Sequence, residues 1–227
     1  MWARTFPRWH YPLREDAFAD PLTSDAAYWV GFLMADGNVQ HPSIGAPRVR
    51  LCLSERDEDH VRRFRQFLDA HTQVQHEGKA GRSRGFVRVH ASSHQLIYDL
   101  ERHGVVPKKT RRTAAGPLKF NRDFWRGVLD GDGCLGIYWN RDPRYRAGGR
   151  WAARLNLAGN EQLLADFLTF VRAIRPHNIH VTAGHHVQQV QLSSATARVV
   201  VRSLYEGAST YLPRKMTLAR RIWEGNN

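Results

Sequence analysis

Two aspartates in this chain, Asp36 and Asp132, are each followed by glycine, and each closes an apolar run of the same pattern. The runs read YWVGFLMADG and FWRGVLDGDG, and they share Trp, Gly, Leu, Asp and Gly at an offset of 96 residues, from 36 to 132. Two carboxylates held close together repel each other unless a divalent cation neutralises them, and oxygen ligands favour Mg²⁺, with Mn²⁺ able to replace it. The pattern predicts a metal site formed by both carboxylates, with help from the carbonyls of Ala35 and Gly131.

The elements that must bring these aspartates together are the two apolar runs, which are typical of buried helices. Each run carries a pair of small residues four apart, and such residues lie on one face of a helix. The pairs are Gly31 with Ala35 and Gly127 with Gly131. Two grooves without large side chains allow helix backbones to touch. Parallel packing of the two helices would bring both aspartates out together at their C-terminal ends.

The glycines that follow the aspartates, Gly37 and Gly133, predict left-handed C-caps for both helices. Both helix dipoles would then point their negative ends at one place, which adds to the need for a cation. The alternative is that each run is an ordinary buried helix closed by an Asp-Gly turn. The duplication at one offset argues against that alternative, because a single chance turn does not explain two matched copies.

The duplication extends well beyond the two runs and divides the chain. Each half is predicted to contain a helix, two strands, a helix, two strands and a helix. The boundaries are an N-terminal arm over 1–24, a first repeat over 25–115, a linker over 116–120 and a second repeat over 121–227.

Alternating and helical patterns place the remaining elements. Strands are predicted near 39–44, 48–53, 74–77 and 85–90 in the first half, and near 135–139, 151–157, 177–181 and 187–192 in the second. Helices are predicted near 57–70, 93–103, 160–174 and 195–205. A polar hairpin tip over 140–149 separates two strands of the second half.

The paired runs and the repeat around them resemble the LAGLIDADG homing endonucleases, in their single-chain, two-repeat form, over residues 25–222. Two positions depart from the family motif: Met34 stands at its first Asp and Arg126 at its Ala. We expect Arg126 to face solvent or the pseudo-twofold seam. The resemblance implies an α+β fold of two αββαββα repeats, each with a saddle-shaped, four-stranded antiparallel sheet, joined at the paired LAGLIDADG helices.

The same resemblance implies a function, namely site-specific cleavage of double-stranded DNA. One phosphodiester bond in each strand of a long target would be hydrolysed with divalent metal ions, by a monomer with pseudo-twofold symmetry. Lys109 and Lys215 match the basic residues that the family places near the scissile phosphate. An alternative for both lysines is a simple phosphate clamp.

The charge of the chain agrees with a nucleic-acid partner. Lys and Arg number 34 against 21 Asp and Glu, for a formal net charge of +13, and such a field favours phosphate-bearing partners. Arginine and glutamine can fork onto base edges in the major groove. Candidate DNA-binding side chains on strands and hairpin tips are Arg48, Arg50, Arg82, Arg84, Arg88, Arg141, Arg144, Arg146, Arg150, Arg154, Gln188, Gln189 and Gln191. For any single one of them, ordinary solvated surface is the alternative.

Other classes of protein fit the sequence less well. The chain has no apolar run of membrane-spanning length and no signal-peptide pattern at residues 1–10, so we expect a soluble, intracellular protein without a membrane partner. Cys52 and Cys134 lie in different halves, which predicts no disulfide framework and fits a reducing compartment. The competing functions on the same fold are an intron maturase that binds host intron RNA and a DNA-binding regulator that does not cleave.

Overall fold

The computed structural model of the chain describes residues 12–78, 85–107, 113–176, 181–183 and 188–225. The first half contains α1 (Ser24–Asp36), β1 (Gly37–Gln40), β2 (Arg48–Ser54), α2 (Glu58–Phe67), β3 (Gln75–Glu77), β4 (Phe86–Ser92) and α3 (His94–Arg102). The second half contains α4 (Arg122–Asp132), β5 (Gly133–Arg141), β6 (Gly149–Gly159), α5 (Glu161–Ile174), β7 (Val181–Ala183), β8 (Gln188–Ser193), α6 (Ser194–Tyr205) and α7 (Pro213–Glu224). The predicted α+β fold with an αββαββα order in each half is confirmed, and α7 follows the second copy.

Each half forms a four-stranded antiparallel sheet. The strand orders are β1-β2-β4-β3 and β5-β6-β8-β7, so the two sheets have the same topology. Apolar residues alternate with polar ones along the strands, and the apolar set faces the helices because burying one face of a sheet drives its packing. In the first sheet Val49 pairs with both Val39 and Ala91, and in the second sheet Leu155 pairs with Leu135 and Leu192.

In the part of the chain that the structure describes, the opposite face of each sheet carries mostly polar side chains that are partly or fully exposed. The first open face carries Asn38, Gln40, Arg48, Arg50, Cys52, Ser54, Gln75, Glu77, Phe86, Arg88, His90 and Ser92. The second open face carries Cys134, Gly136, Tyr138, Asn140, Arg150, Ala152, Arg154, Asn156, Ala158, Gln189, Gln191 and Ser193.

The central helices α1 and α4 begin at side-chain caps and are buried over most of their length. The Thr23 hydroxyl accepts a hydrogen bond from the Ala26 amide at 3.2 Å, and Asn121 Oδ1 accepts from the amides of Asp123 and Phe124 at 2.9 and 3.0 Å. These caps satisfy amides that have no partner within the helix. All residues from Ala26 to Met34 are buried, as expected for a helix that is apolar on every side.

A cluster of aromatic rings lies beneath each sheet. In the first half the Trp29 ring lies 4.9 Å from that of Phe64, and in the second half the Trp125 ring lies 5.1 Å from that of Phe167. Trp29 and Trp125 occupy the same position in the two repeated runs. Burying one large ring at the same place in each copy packs each central helix against a helix of its own half, α2 or α5.

The predicted left-handed C-caps are wrong. Gly37 and Gly133 have φ of −75° and −84° with extended ψ, because each is the first residue of a strand as well as the residue after a helix. Glycine is required there for a different reason. A Cβ on Gly37 would lie 2.6 Å from the Leu33 carbonyl oxygen, and one on Gly133 would lie 2.6 Å from the Leu129 oxygen.

Several predicted boundaries move. The strand expected over 39–44 ends at Gln40, ahead of a segment that contains two prolines, and the hairpin of the second half is longer than expected because β5 and β6 extend to Arg141 and from Gly149. Residues 177–180 of the strand expected over 177–181 lie outside the described residues. The linker expected over 116–120 is a 3₁₀ turn, Gly116–Phe120.

The described part of the N-terminal segment lies against the first half. The Phe18 side chain is fully buried in the core, and the Arg14 amide donates to the Leu68 carbonyl at 2.8 Å. His103 binds the Phe18 carbonyl through Nε2 at 3.0 Å. Among the residues that the structure describes, no helix combines the length and apolar composition needed to cross a bilayer.

Candidate metal centre and nucleic-acid interface

The backbones of α1 and α4 meet at the two glycines of the repeated runs. A Cβ built on Gly31 would overlap the Phe124 carbonyl oxygen, and one built on Gly127 would overlap the Tyr28 carbonyl oxygen. The Cβ built on Gly127 would also lie 2.7 Å from the Phe32 amide nitrogen. The structure therefore places the backbones of the two helices in direct contact, through the residues selected from the sequence.

The C-terminal ends of the same helices lie side by side. A Cβ on Gly131 would overlap the Ala35 methyl group and would lie 3.5 Å from Asp36 Oδ2. The Asp36 carboxylate is thus next to the last turn of α4, and Asp132 is the last residue of that helix. Both aspartates are exposed, although the helices that carry them are buried. The structure brings Asp36 to the end of the helix that carries Asp132.

The donor set at this junction fits a hard divalent cation. Two exposed carboxylates stand at two helix C-termini, where the helix dipoles add negative potential. Within the described ranges, no group of three or more His, Cys, Asp or Glu side chains is placed to hold a metal ion. The protein would therefore supply only part of a coordination shell. Mg²⁺ suits such a site, because it keeps several waters and takes substrate phosphate oxygens as ligands.

Lys215 caps the end of α4 from the neighbouring helix α7. Its Nζ donates to the carbonyl oxygens of Leu129, Asp130 and Gly133 at 2.5, 2.7 and 2.7 Å. Burial is the main cause that lowers the pKa of Lys215, to about 8, and the charges of Asp130 and Asp36 oppose that shift. All three ammonium protons are directed at backbone carbonyls, so the side chain acts here as a buried positive charge at the negative end of a helix.

The equivalent lysine of the first repeat, Lys109, lies outside the described residues. The structure therefore places one of the two predicted basic residues. The carbonyls expected to help bind metal, those of Ala35 and Gly131, are different from the three carbonyls that Lys215 occupies.

A second carboxylate of α4, that of Asp130, is buried behind the junction. It accepts hydrogen bonds from the Tyr205 hydroxyl at 2.6 Å, the Leu212 amide at 2.7 Å and the Tyr28 hydroxyl at 2.9 Å. Burial raises the pKa of Asp130, and the Lys215 charge together with these hydrogen bonds counteracts the shift. Sequence reasoning assigned no role to this position. The available signal was an acidic residue within a run that is otherwise buried.

Tyr28 connects this carboxylate to a buried histidine of the first half. The Tyr28 hydroxyl gives its one proton to Asp130, so the His60 Nε2, at 2.9 Å from the hydroxyl oxygen, must carry the proton of that second hydrogen bond. Burial lowers the pKa of His60 to about 3, with smaller contributions from Arg63 and Arg214. The imidazole is therefore neutral at physiological pH, and its buried Nδ1 has no hydrogen-bond partner among the residues that the structure describes.

Of the two positions expected for Arg126, solvent is wrong, whereas the seam agrees with a guanidinium that lies 5.3 Å from the centre of the Tyr28 ring of α1. The Arg126 side chain is fully buried, with Nε donating to the Thr210 carbonyl at 2.8 Å and Nη1 donating to Asp123 at 2.6 Å and to the Leu204 carbonyl at 3.0 Å. The carbonyls belong to the end of α6 and to the segment before α7. These acceptors hold the buried guanidinium through Nε and Nη1.

On the first open face, the arginines are ordered by neighbouring polar side chains. Gln40 Oε1 accepts from Arg48 Nε at 2.9 Å and from Arg50 Nη2 at 3.2 Å. Arg88 donates to Gln75 at 2.9 Å and is paired with Glu77. These contacts hold three guanidinium groups above one sheet, where their remaining donors can meet a polyanion.

On the second open face, arginines lie against aromatic rings. The Arg154 guanidinium lies 5.0 Å from the centre of the Tyr138 ring and donates to Asn140 at 2.8 Å. The Arg150 guanidinium lies 5.1 Å from the centre of the Tyr145 ring. Stacking reduces the freedom of both cations before any ligand binds, and the hydrogen bond to Asn140 restricts Arg154 further. Gln189 and Gln191 belong to the same face.

Not every predicted interface residue shares these faces. Arg141 and Gln188 alternate onto the opposite side of the second sheet, with Leu135 and Val190 respectively. Arg144 lies at the hairpin tip and is paired with Asp142 at 2.8 Å. Arg146 is also an exposed residue of that tip. Arg82 and Arg84 lie outside the described residues.

Comparison of the structure with known proteins identifies one fold. The I-LtrWI LAGLIDADG homing endonuclease bound to target DNA superposes with a TM-score of 0.62 over 89% of this chain and 91% of that one, at 10% sequence identity. The LAGLIDADG meganuclease I-AabMI bound to uncleaved DNA gives 0.61 over 87% and 88%, at 11% identity. I-SmaMI bound to its uncleaved DNA target in the presence of calcium ions gives 0.58 over 90% and 93%, at 11% identity.

Sequence comparison alone gives no such result. No family model matches the chain, and no curated protein is significantly similar to it. The likeness is therefore one of fold, and it confirms the resemblance that the repeated runs indicate. The chain has the fold of the LAGLIDADG homing endonucleases.

Proposed function

We propose that this chain is a site-specific endonuclease that hydrolyses both strands of a long double-stranded DNA target with Mg²⁺. The observation that carries the proposal is the position of Asp36 beside the end of α4, which bears Asp132, at the junction of two sheets whose open faces carry cationic side chains. A metal-binding pair of carboxylates between two basic surfaces suits hydrolysis of a phosphodiester backbone.

Double-stranded DNA is the partner that best suits these surfaces. Two-stranded and larger sheets can enter the major groove, where arginine and glutamine distinguish base pairs. The net charge of +13 would supply the attraction to phosphates, which carries no sequence information. DNA is also the partner in the related structures described above. We propose a monomer in which residues 25–115 and 121–227 form the two halves of one interface.

The acidic residues would hold the metal. Asp36 and Asp132 would each supply carboxylate oxygen, and the carbonyls of Ala35 and Gly131 are the nearest backbone candidates. Mg²⁺ bound there would lower the pKa of a coordinated water and neutralise charge on the phosphodiester. Lys215 would hold a positive charge behind the site, which offsets the negative end of α4. Lys109 would provide the basic residue of the other half.

The test begins with purified full-length protein and a large duplex-DNA library, incubated with Mg²⁺ or with EDTA. Sequencing of the product ends should show double-strand breaks at one long, partly palindromic site, and only with Mg²⁺. Tight binding to DNA or RNA without cleavage would instead indicate a regulator or a maturase.

Substitutions of the two aspartates test the site itself. Asp36→Asn and Asp132→Asn should each abolish cleavage, while DNA affinity stays the same or rises, since a negative charge is removed from a phosphate-binding surface. Glu161→Gln is the matched control, because Glu161 is an exposed acidic residue at the start of α5. Cleavage at the wild-type rate by either Asn variant would show that the site is elsewhere.

A further inference from the structure

We propose that Asp130 is a positioning residue that fixes the start of α7 and thereby holds Lys215 at the end of α4. The placement of Lys215 stands on the structure alone. Its consequence for cleavage rests on the proposed function.

The Asp130 side chain caps α7. Leu212 is the residue before the first turn of that helix, and its amide donates to Asp130 Oδ2 at 2.7 Å. Amides at a helix start have no partner within the helix, and a carboxylate there also interacts favourably with the dipole. Lys215 lies in the turn so fixed, with its own amide bonded to the Leu212 carbonyl at 2.9 Å.

The Asp130 backbone makes the second contact with the same helix. Its carbonyl oxygen accepts from Lys215 Nζ at 2.7 Å, while the neighbouring carbonyls of Leu129 and Gly133 accept the other two protons. One residue of α4 therefore binds α7 at two points, at its start through the carboxylate and at its lysine through the carbonyl. Two attachment points less than one helical turn apart fix both the position and the rotation of α7.

The carboxylate is itself held in place by two phenols. Tyr205 of α6 and Tyr28 of α1 donate to it from opposite halves of the chain, and all three side chains are buried. A buried carboxylate is costly unless its lone pairs are satisfied, and here both oxygens accept hydrogen bonds. The carboxylate therefore has little freedom to move, which is what a group that positions another group requires.

The arrangement belongs to one half of the molecule. The residue of the first run that matches Asp130 is Met34, which is buried and has no group able to accept a hydrogen bond from an amide as a carboxylate does. The Met34 Cε instead lies near Gly104, at 3.3 Å from a Cβ built there. The two halves of the site are therefore supported by different chemistry.

The effect of losing this support follows from geometry. If the start of α7 is released, the ammonium moves away from the end of α4, and a positive charge no longer offsets the negative potential at Asp132. Displacement of a supporting group by about 1 Å can slow an enzyme by about 10-fold to 100-fold. We expect a loss of that size in the rate of cleavage.

The variant that tests this is Asp130→Leu combined with Tyr205→Phe. Leu has nearly the shape of Asp, and Phe removes the hydroxyl that would lose its acceptor, so both sides of that contact become apolar together. The Tyr28 hydroxyl can then donate to His60 Nε2 once the imidazole changes tautomer. The Leu212 amide is left as the one new unpaired group. Tyr205→Phe alone is the matched control, because it leaves the bond from Leu212 to Asp130 intact.

The first measurement requires no cleavage. The folded protein is treated with a water-soluble, amine-reactive acetylating reagent, and the acetylation of Lys215 is then measured by peptide mass spectrometry. Exposed Lys119 serves as the internal reference. We expect Lys215 to react at least about 10-fold faster in the double variant than in wild type, and to be accelerated much less in Tyr205→Phe, which loses one phenol but keeps the bond from Leu212 to Asp130. Unchanged protection of Lys215 in the double variant, or equal acceleration in Tyr205→Phe, would overturn the inference.

The second measurement asks whether Asp130 acts through Lys215. The double variant should slow Mg²⁺-dependent cleavage by about 10-fold or more in the wild-type background and should add almost nothing in a Lys215→Met background, since coupled residues are not additive. Equal losses in both backgrounds would show a general structural effect and would overturn the link to cleavage. If wild type itself does not cleave, the proposed function fails, and the acetylation result alone decides the positioning role.

Discussion

At the residue scale, buried ionisable groups with opposite requirements lie next to each other. Lys215 keeps a positive charge in a buried place because three carbonyls at one helix end accept its protons. Asp130 is buried with three donors, whereas His60 meets one phenol, and within the described part of the chain its Nδ1 is unpaired. The histidine can stay in the core only as a neutral ring, since protonation would bury a charge whose second proton has no acceptor among those residues.

The neutral state of His60 predicts a specific dependence of stability on pH. Its pKa is about 3 in the folded protein and about 6.5 in the unfolded chain, so the unfolded state binds more protons between these values. The free energy of unfolding is therefore unaffected by this group above about pH 6.5 and falls as the pH decreases. From about pH 7 to about pH 4.5 the loss should be about 2–3 kcal/mol.

Urea denaturation across that pH range measures the effect against His60→Gln, which keeps an amide donor for the Tyr28 hydroxyl but does not titrate. Over the same pH interval, the free energy of unfolding of the variant should fall by about 2–3 kcal/mol less than that of wild type. If the free energies of unfolding of the two proteins fell in parallel with pH, the imidazole would be protonated as readily in the folded protein as in the unfolded chain.

At the element scale, the seam between α1 and α4 is built from backbone contact. Gly31 and Gly127 each face a carbonyl oxygen of the other helix, so no side chain fits between them. Glycine within a helix costs about 1 kcal/mol relative to alanine, and close packing of the two helices offsets that cost.

Gly31→Ala and Gly127→Ala should each lower the free energy of unfolding by about 1–3 kcal/mol, despite the higher helix propensity of alanine, because the helices must separate to admit a methyl group. Chemical denaturation measures this, and cleavage should fall in parallel as the two carboxylates move apart. Gly78→Ala is the control, since a Cβ there meets no atom of the described residues within 4 Å, and its effect should stay within about 0.5 kcal/mol. Equal stability of all three variants would exclude backbone contact at the seam.

How far the sequence could predict these elements depends on the distance between interacting residues. The seam glycines and the order of strands and helices follow from local patterns that occur twice. Both features are present in the structure. The buried network does not follow, because the partners of Asp130 lie 75, 82 and 102 residues away along the chain. The acceptors of Arg126 were missed for the same reason, since the carbonyls of Leu204 and Thr210 are 78 and 84 residues distant.

At the scale of the whole molecule, α7 and the segment before it contact the first half of the chain. Arg214 of α7 is paired with Asp57 of the first half at 3.0 Å, and the Thr210 hydroxyl donates to Asp25 at 2.6 Å. Together with the seam between α1 and α4, these contacts hold the two sheets in a fixed relation. A fixed relation between two surfaces sets the spacing of any two half-sites that they bind at once.

The two open faces are equivalent in topology but not in chemistry. Aligned at Gly37 and Gly133, the strand registers place Arg50 of the first sheet where the second has Asn156, and Arg88 where the second has Gln189, while Arg48 and Arg154 correspond. Arginine forks onto guanine and glutamine onto adenine in the major groove. A single chain with such different surfaces should therefore recognise two dissimilar half-sites, even though its backbone is nearly symmetric.

This asymmetry can be measured once the target is selected from the library. Two palindromic derivatives are made by duplicating the left or the right half-site, and all three duplexes are compared at one salt concentration. Each mismatched base pair costs about 1–3 kcal/mol, so both palindromes should bind at least about 10-fold more weakly than the natural target. Arg88→Gln makes the first face more like the second. It should reduce the difference in affinity between the natural target and one palindrome only. Equal affinity of the natural target and either palindrome would mean that the differing side chains do not read bases.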